Sequence, residues 1–219
     1  MKFFFTKNKK NDICVIFIHG LKSNVDTWNF APKTNINIQK KISSITSTLM
    51  IQYELIDYVI SCEKSCRKIY EFCINNSIIN PIIVCHSIGG LYAKALDYSH
   101  HDFVKSIIFI DSICLNEIYC DQLASNIRTE TNIIDKNIRS NIMKYILCNK
   151  KQIVDHMRDN RSKYIALYNT KKKSIDNDKV YWDQIGCETK IFFDIGHMIH
   201  HKRPDYIVRL VQHMVHLLL

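Results

Sequence analysis

Glycine and proline are scarce in this chain, five and three among 219 residues. No Gly-, Pro- or Ser-rich linker interrupts it, candidate hinges are few and no internal repeat divides it, so one domain over 1–219 is expected. Long apolar runs are missing as well. The opening residues Met1-Lys2-Phe3-Phe4-Phe5-Thr6 are too short a run for a secretory signal and are closed by Lys7, Lys9 and Lys10. An opening β-strand is the simpler expectation. With 47% hydrophobic and 23% charged residues the composition excludes both disorder and a membrane-spanning chain, and the length suffices for one full core.

Nine cysteines without an export signal point to a reducing compartment and a cytoplasmic location, where an odd number needs no pairing. Cys62 and Cys66 stand one helical turn apart, but no second pair matches them. Buried thiols that pack as small apolar groups are therefore expected rather than a zinc site. The formal charge of +9 is carried by dispersed lysines, as in Lys40-Lys41, Lys150-Lys151 and Lys171-Lys172-Lys173, with no nucleic-acid module around them. A solvated surface accounts for that charge, and no nucleic-acid partner is expected. Peripheral contact with anionic lipid stays open, whereas stable membrane insertion is not expected.

Three segments carry chemistry. In Ile82-Ile83-Val84-Cys85-His86-Ser87-Ile88-Gly89-Gly90 an apolar β-branched run meets a serine, a glycine pair and then the helix-forming Leu91-Tyr92-Ala93-Lys94-Ala95-Leu96. This is the layout of a nucleophile elbow, where a strand turns sharply into a helix and lifts a hydroxyl at the tip. The turn needs small residues two before and two after the serine; Gly89 meets that demand and Cys85 meets it in part. An ordinary strand-to-helix turn has the same local signature. Far upstream, Ile13-Cys14-Val15-Ile16-Phe17-Ile18 ends in His19-Gly20-Leu21, and the amides of Leu21 and Ile88 are candidates for a two-donor oxyanion hole. Near the end, Thr189-Lys190-Ile191-Phe192-Phe193-Asp194 leads into Ile195-Gly196-His197 and an amphipathic helix through Tyr206, Ile207, Leu210, Val211 and Met214.

His-Gly, His-Ser-x-Gly-Gly and Gly-His at three successive strand ends resemble the α/β-hydrolase superfamily. The phrase His86-Ser87-Ile88-Gly89-Gly90-Leu91-Tyr92-Ala93-Lys94 is most similar to lipase-type serine esterases. Cys85 departs from the glycine usual there. The resemblance implies an α/β fold with a mostly parallel central sheet flanked by helices. The order of segments gives the same architecture independently. A helix and then a strand near Thr48 to Glu54, an amphipathic helix over 56–76, the serine strand and its helix, and a strand through Val104 to Asp111 alternate in the rhythm of right-handed βαβ units. Residues 114–163 break the rhythm, being polar and helix-prone, and are expected to form a small helical cap inserted between strands; ordinary packing helices are the alternative. The strand pattern resumes at Tyr164 to Tyr168, and a basic loop leads to a short helix near Trp182.

A serine hydroxyl needs a base within reach, and His197 is the choice for it. His200 and His201 are expected to be solvated or to line the pocket. His86, beside the serine in sequence, should turn its ring away from the hydroxyl as a buried packing residue, and His19 with Gly20 should shape the oxyanion loop against the substrate. The triad acid has three candidates. The resemblance usually places it after the next-to-last strand, yet Tyr168 is followed by Asn169, Thr170 and three lysines, with Asp176 and Asp178 the first carboxylates. Asp111, at the end of the strand after the serine helix, is the preferred candidate, as in the haloalkane dehalogenases. The reading that follows is a serine hydrolase without metal or cofactor, forming an acyl-enzyme on Ser87 from a small-molecule ester or lipid substrate. The competing reading is a degenerate hydrolase fold that binds without cleaving.

Overall fold

Short apolar runs build the sheet. In a computed structural model, which describes residues 1–21, 23–31, 34–53, 61–115, 133–169 and 175–219, seven strands lie in the order β1-β3-β2-β4-β5-β6-β7. They are β1 (Lys2–Thr6), β2 (Cys14–Ile18), β3 (Ser47–Gln52), β4 (Ile82–His86), β5 (Ser106–Ile110), β6 (Tyr164–Asn169) and β7 (Glu188–Phe192). Only β1 is antiparallel, pairing Phe4 with Met50 on β3; every other pair is parallel. Every residue of β2 and β4 is buried, as a parallel strand with helices on both faces requires.

Side chains alternate between two cores with the strand period of two. Cys14, Ile16, Ile18, Ile83, Cys85, Ile107 and Phe109 enter one core, and Val15, Phe17, Ile82, Val84, Ile108 and Ile110 the other. The first core is covered by α3 (Cys62–Asn75), α4 (Gly89–Ser99), α5 (Ile133–Cys148), α6 (Lys150–Asp159) and α7 (Ile175–Ile185). The second is covered by α1 (Asp26–Asn29), α2 (Ile38–Ser43), α8 (Ile199–Lys202) and α9 (Pro204–Leu217). Local chemistry sets the helix ends. Asn37 and Ser61 accept hydrogen bonds from the Lys40 and Lys64 amides as N-caps, and Pro204 starts α9, where its missing N–H costs nothing.

α3 buries Cys62, Ser65, Cys66, Ile69 and Cys73, a stripe at spacings of three and four. Its expected beginning near residue 56 falls in 54–60, outside the described residues. α4 is buried from Gly89 through Asp97 because it lies between the sheet and the outer helices. At its far end Tyr164 Oη donates to Asp97 Oδ2 at 2.6 Å and His156 Nε2 meets the same oxygen at 3.1 Å, tying α4 to β6 and α6. The described part of the stretch expected as a cap, α5 and α6, packs against α3 and α4 through Ile142, Ile146, Ile153 and Met157. Residues 116–132 of that stretch lie outside the described residues.

Candidate active site

The carboxyl ends of β4, β5 and β6 and the loop after β7 meet at one edge of the sheet. β4 stops at His86, Ser87 takes φ +54°, Ile88 returns to the right-handed region, and α4 begins at Gly89. A left-handed backbone at a non-glycine residue costs on the order of 1–3 kcal/mol and needs surrounding bonds to hold it. Those bonds are present. The Ser87 amide donates to the Ile110 carbonyl at 3.1 Å, and the Ser87 carbonyl accepts from the Ser112 hydroxyl at 3.0 Å and the Gly90 amide at 3.1 Å. Gly89 is fixed by packing: a Cβ there would lie 2.7 Å from the backbone oxygens of both Ile18 and His19. Cys85 is fully buried and its Sγ reaches the Ile108 carbonyl at 3.5 Å. Burial pushes that thiol up, so it stays protonated beside the serine strand.

The His19-Gly20-Leu21 segment runs alongside the elbow. A Cβ on Gly20 would come within 3.1 Å of the Ser87 Cβ and 2.9 Å of His86 Nδ1, so the amide-bearing stretches around Leu21 and Ile88 lie next to each other. His19 is buried, its Nδ1 meets the Gly20 carbonyl oxygen at 2.7 Å, and its ring packs edgewise on Tyr53. Burial lowers its pKa.

Asp111, one residue beyond β5, also has a left-handed backbone, φ +43°, and its amide donates to Leu167 at 2.6 Å. Its side chain is fully shielded, and Oδ2 accepts both from Nδ1 of His197 and, at 3.0 Å, from Nδ2 of Asn169. His197 follows Gly196, whose φ of +78° favours glycine, and its side chain is 47% exposed. The structure thus brings Asp111 and His197 together across 86 residues of sequence. Asp178 sits elsewhere, buried on α7, where its charge bears on Lys94; the side chain of Asp176 lies outside the described residues. Among the described residues no direct hydrogen bond joins the Ser87 hydroxyl to His197. Nor do any three or more His, Cys, Asp or Glu residues gather there in a way that would hold a metal ion.

Two histidines differ from their sequence reading. His86 is buried as expected, but it does more than pack. Its Nε2 lies 3.1 Å from the His197 carbonyl oxygen, and its ring lies 4.5 Å from that of His197 and 4.6 Å from that of His200. His200, expected to be solvated or to line the pocket, is fully buried, its ring 4.8 Å from Trp28. One hydroxyl, Thr27 Oγ1, meets Nε2 of both His200 and His201 at 2.8 Å, and His201 Nε2 also faces the Thr27 carbonyl oxygen at 3.2 Å. Burial, and then the neighbouring His86, His201 and His197, hold His200 well below the usual histidine range. Sequence reasoning gave no role to Ser112 or to Asn169. Their only signal is position, each directly after a predicted strand end.

No protein-family model matches the chain, and no curated protein matches it in sequence. Solved structures do match. A carboxylesterase of the thaumarchaeon Nitrososphaera gargenis superimposes with TM-score 0.72 at 11% identity, over 99% of this chain and 94% of that one. MenH from S. aureus gives 0.66 at 10% identity over 96% of each chain. The hydrolase olei00960 from Oleispira antarctica gives 0.63 at 12% over 98% and 94%. The chain has the α/β-hydrolase fold.

Proposed function

We propose that this protein is a serine hydrolase that cleaves a carboxylic ester through an acyl-enzyme on Ser87. The observation that carries the reading is the pairing of His197 Nδ1 with the buried Asp111 carboxylate at the strand-end edge that also holds the elbow at Ser87. With Nδ1 facing Asp111, the other ring nitrogen, Nε2, is left to serve the serine. Ser87 Oγ attacks the ester carbon as its proton passes to Nε2, and Asp111 stabilises the imidazolium without itself taking the proton. The oxyanion accepts from the Leu21 and Ile88 amides. Collapse expels the alcohol, which leaves with the proton from Nε2, and water then repeats the sequence to release the acid. Placing the base and the oxyanion donors in advance supplies most of such a rate enhancement.

The similar structures, a carboxylesterase among them, support a hydrolase. An ester with an apolar acyl chain fits the Gly89-Gly90-Leu91-Tyr92-Ala93 phrase best. The test is labelling by a fluorophosphonate probe. Wild-type protein should label, and Ser87→Ala and His197→Ala should not. The missing hydrogen bond between Ser87 and His197 favours a second reading, a hydrolase fold that binds without cleaving. No labelling of folded wild-type protein would select it, although such bonds often form only once substrate is bound.

A further inference from the structure

Asn169 is the last residue of β6, and β6 lies between β5, which ends next to Asp111, and β7, whose following loop delivers His197. Its side chain is buried, 1% exposed, and its amide nitrogen stands 3.0 Å from Asp111 Oδ2, the same oxygen that meets His197 Nδ1. Packing the β6 end places an amide there without any catalytic requirement, but the atom it contacts is the one through which Asp111 would act. A carboxylate attached through one rotatable Cβ–Cγ bond swings freely unless a second donor fixes its plane.

We infer that Asn169 is a positioning residue of this site, its amide nitrogen holding the Asp111 carboxylate in the orientation that meets His197. The inference rests on the proposed triad for its meaning in catalysis, and on geometry alone for the contact. An amide suits the place because it donates to a carboxylate and adds no charge. A carboxylate at 169 would set two acidic oxygens about 3 Å apart, and such a pair cannot both ionise near neutral pH. Among the described residues the other titratable groups facing His197 are His86 of β4 and His200 of α8, so an added ionisation must be read against the same titration in the unaltered protein.

Two variants test it, Asn169→Asp and Asn169→Leu, each followed by NMR titration of the His197 imidazole and by ester turnover. In Asn169→Asp the His197 resonance should report one extra ionisation, above the ordinary carboxylate range, and the pH–rate profile should gain the same limb. In Asn169→Leu, kcat should fall about 10- to 100-fold with KM little changed, since the lost bond orients a catalytic group and touches no substrate. An Asn169→Asp titration that matches the wild type would overturn the inference. So would a folded Asn169→Leu protein with normal kcat, which decides the matter if the aspartate variant does not fold. An extra ionisation at His197 in a protein whose serine never labels would leave the inference standing and remove the proposed hydrolysis instead.

Discussion

A charge as shielded as that of Asp111 survives only where donors face it, since an unpaired buried carboxylate would take up a proton. Asn169 and His197 both donate to it, and the left-handed backbone at 111 aims it at them. Asp178 is as buried, yet its charge bears on Lys94 of α4 and not on His197. The two aspartates should therefore separate in a turnover assay. Asp111→Asn removes the charge that stabilises the imidazolium and leaves shape intact, so kcat should drop by about 10³- to 10⁴-fold with KM nearly constant. Asp178→Asn should keep kcat within about threefold of wild type and show its effect in stability instead. Equal losses in both variants would mean that Asp111 holds structure and is not the acid of the site.

Of the strands that carry the site, β2, β4 and β5 were readable as short apolar runs, the pattern that helices on both sides of a parallel sheet demand, whereas the edge strand β7 mixes Glu188, Thr189 and Lys190 with Ile191 and Phe192. The elbow and the two loops beside it were readable because each carries a glycine, Gly89 against the Ile18 and His19 carbonyls, Gly20 against the His86 and Ser87 side chains, and Gly196 for its φ of +78°. The contacts of the neighbouring histidines were not. The His86 bond to the His197 carbonyl spans 111 residues, and the burial of His200 under Trp28 depends on how α8 lies on α1; neither leaves a periodic trace. Asn169 read only as a missing carboxylate. The clasp of α4 to β6 was equally silent and is open to test. Tyr164→Phe takes from the buried Asp97 carboxylate a donor at 2.6 Å, a bond to a charged group worth about 1.5–3 kcal/mol. The urea midpoint should fall accordingly with an unchanged slope. An unmoved midpoint would mean that His156 alone satisfies Asp97.

Taken whole, the molecule hides ionisable groups in both cores, and its stability against pH follows from their signs. Burial holds His19 and His200 below the ordinary histidine value of 6.5, so the folded state refuses protons that the unfolded chain accepts. That contribution is complete above about pH 6.5 and is lost as pH falls below it. The thiols of Cys14, Cys73 and Cys85 run the other way. Burial raises each above the ordinary 9.0, Cys73 to about 12, so their contribution is complete below about pH 9 and is lost as pH rises beyond it. Lys94 opposes the thiols. Enclosed by the rings of Phe109, Tyr181 and Trp182, with Nζ donating to the Ile113 carbonyl, it is pushed by burial down to about 8 from 10.5. The cost of that buried cation is constant below pH 8 and is relieved between 8 and 10.5. At pH 10 each of these thiols costs about 1.4 kcal/mol, Cys187, which burial also raises to about 12, adds a similar cost, and the lysine returns somewhat under 3. Against a net stability of about 5–15 kcal/mol these sums are large. The urea midpoint should therefore be highest and nearly level between about pH 7 and 9, fall below pH 6.5, and fall steeply above pH 10. In Lys94→Met, with no lysine left to offset the thiols, the alkaline fall should begin near pH 9. A wild-type midpoint still rising at about pH 10.5 would mean that the buried cation outweighs the thiols.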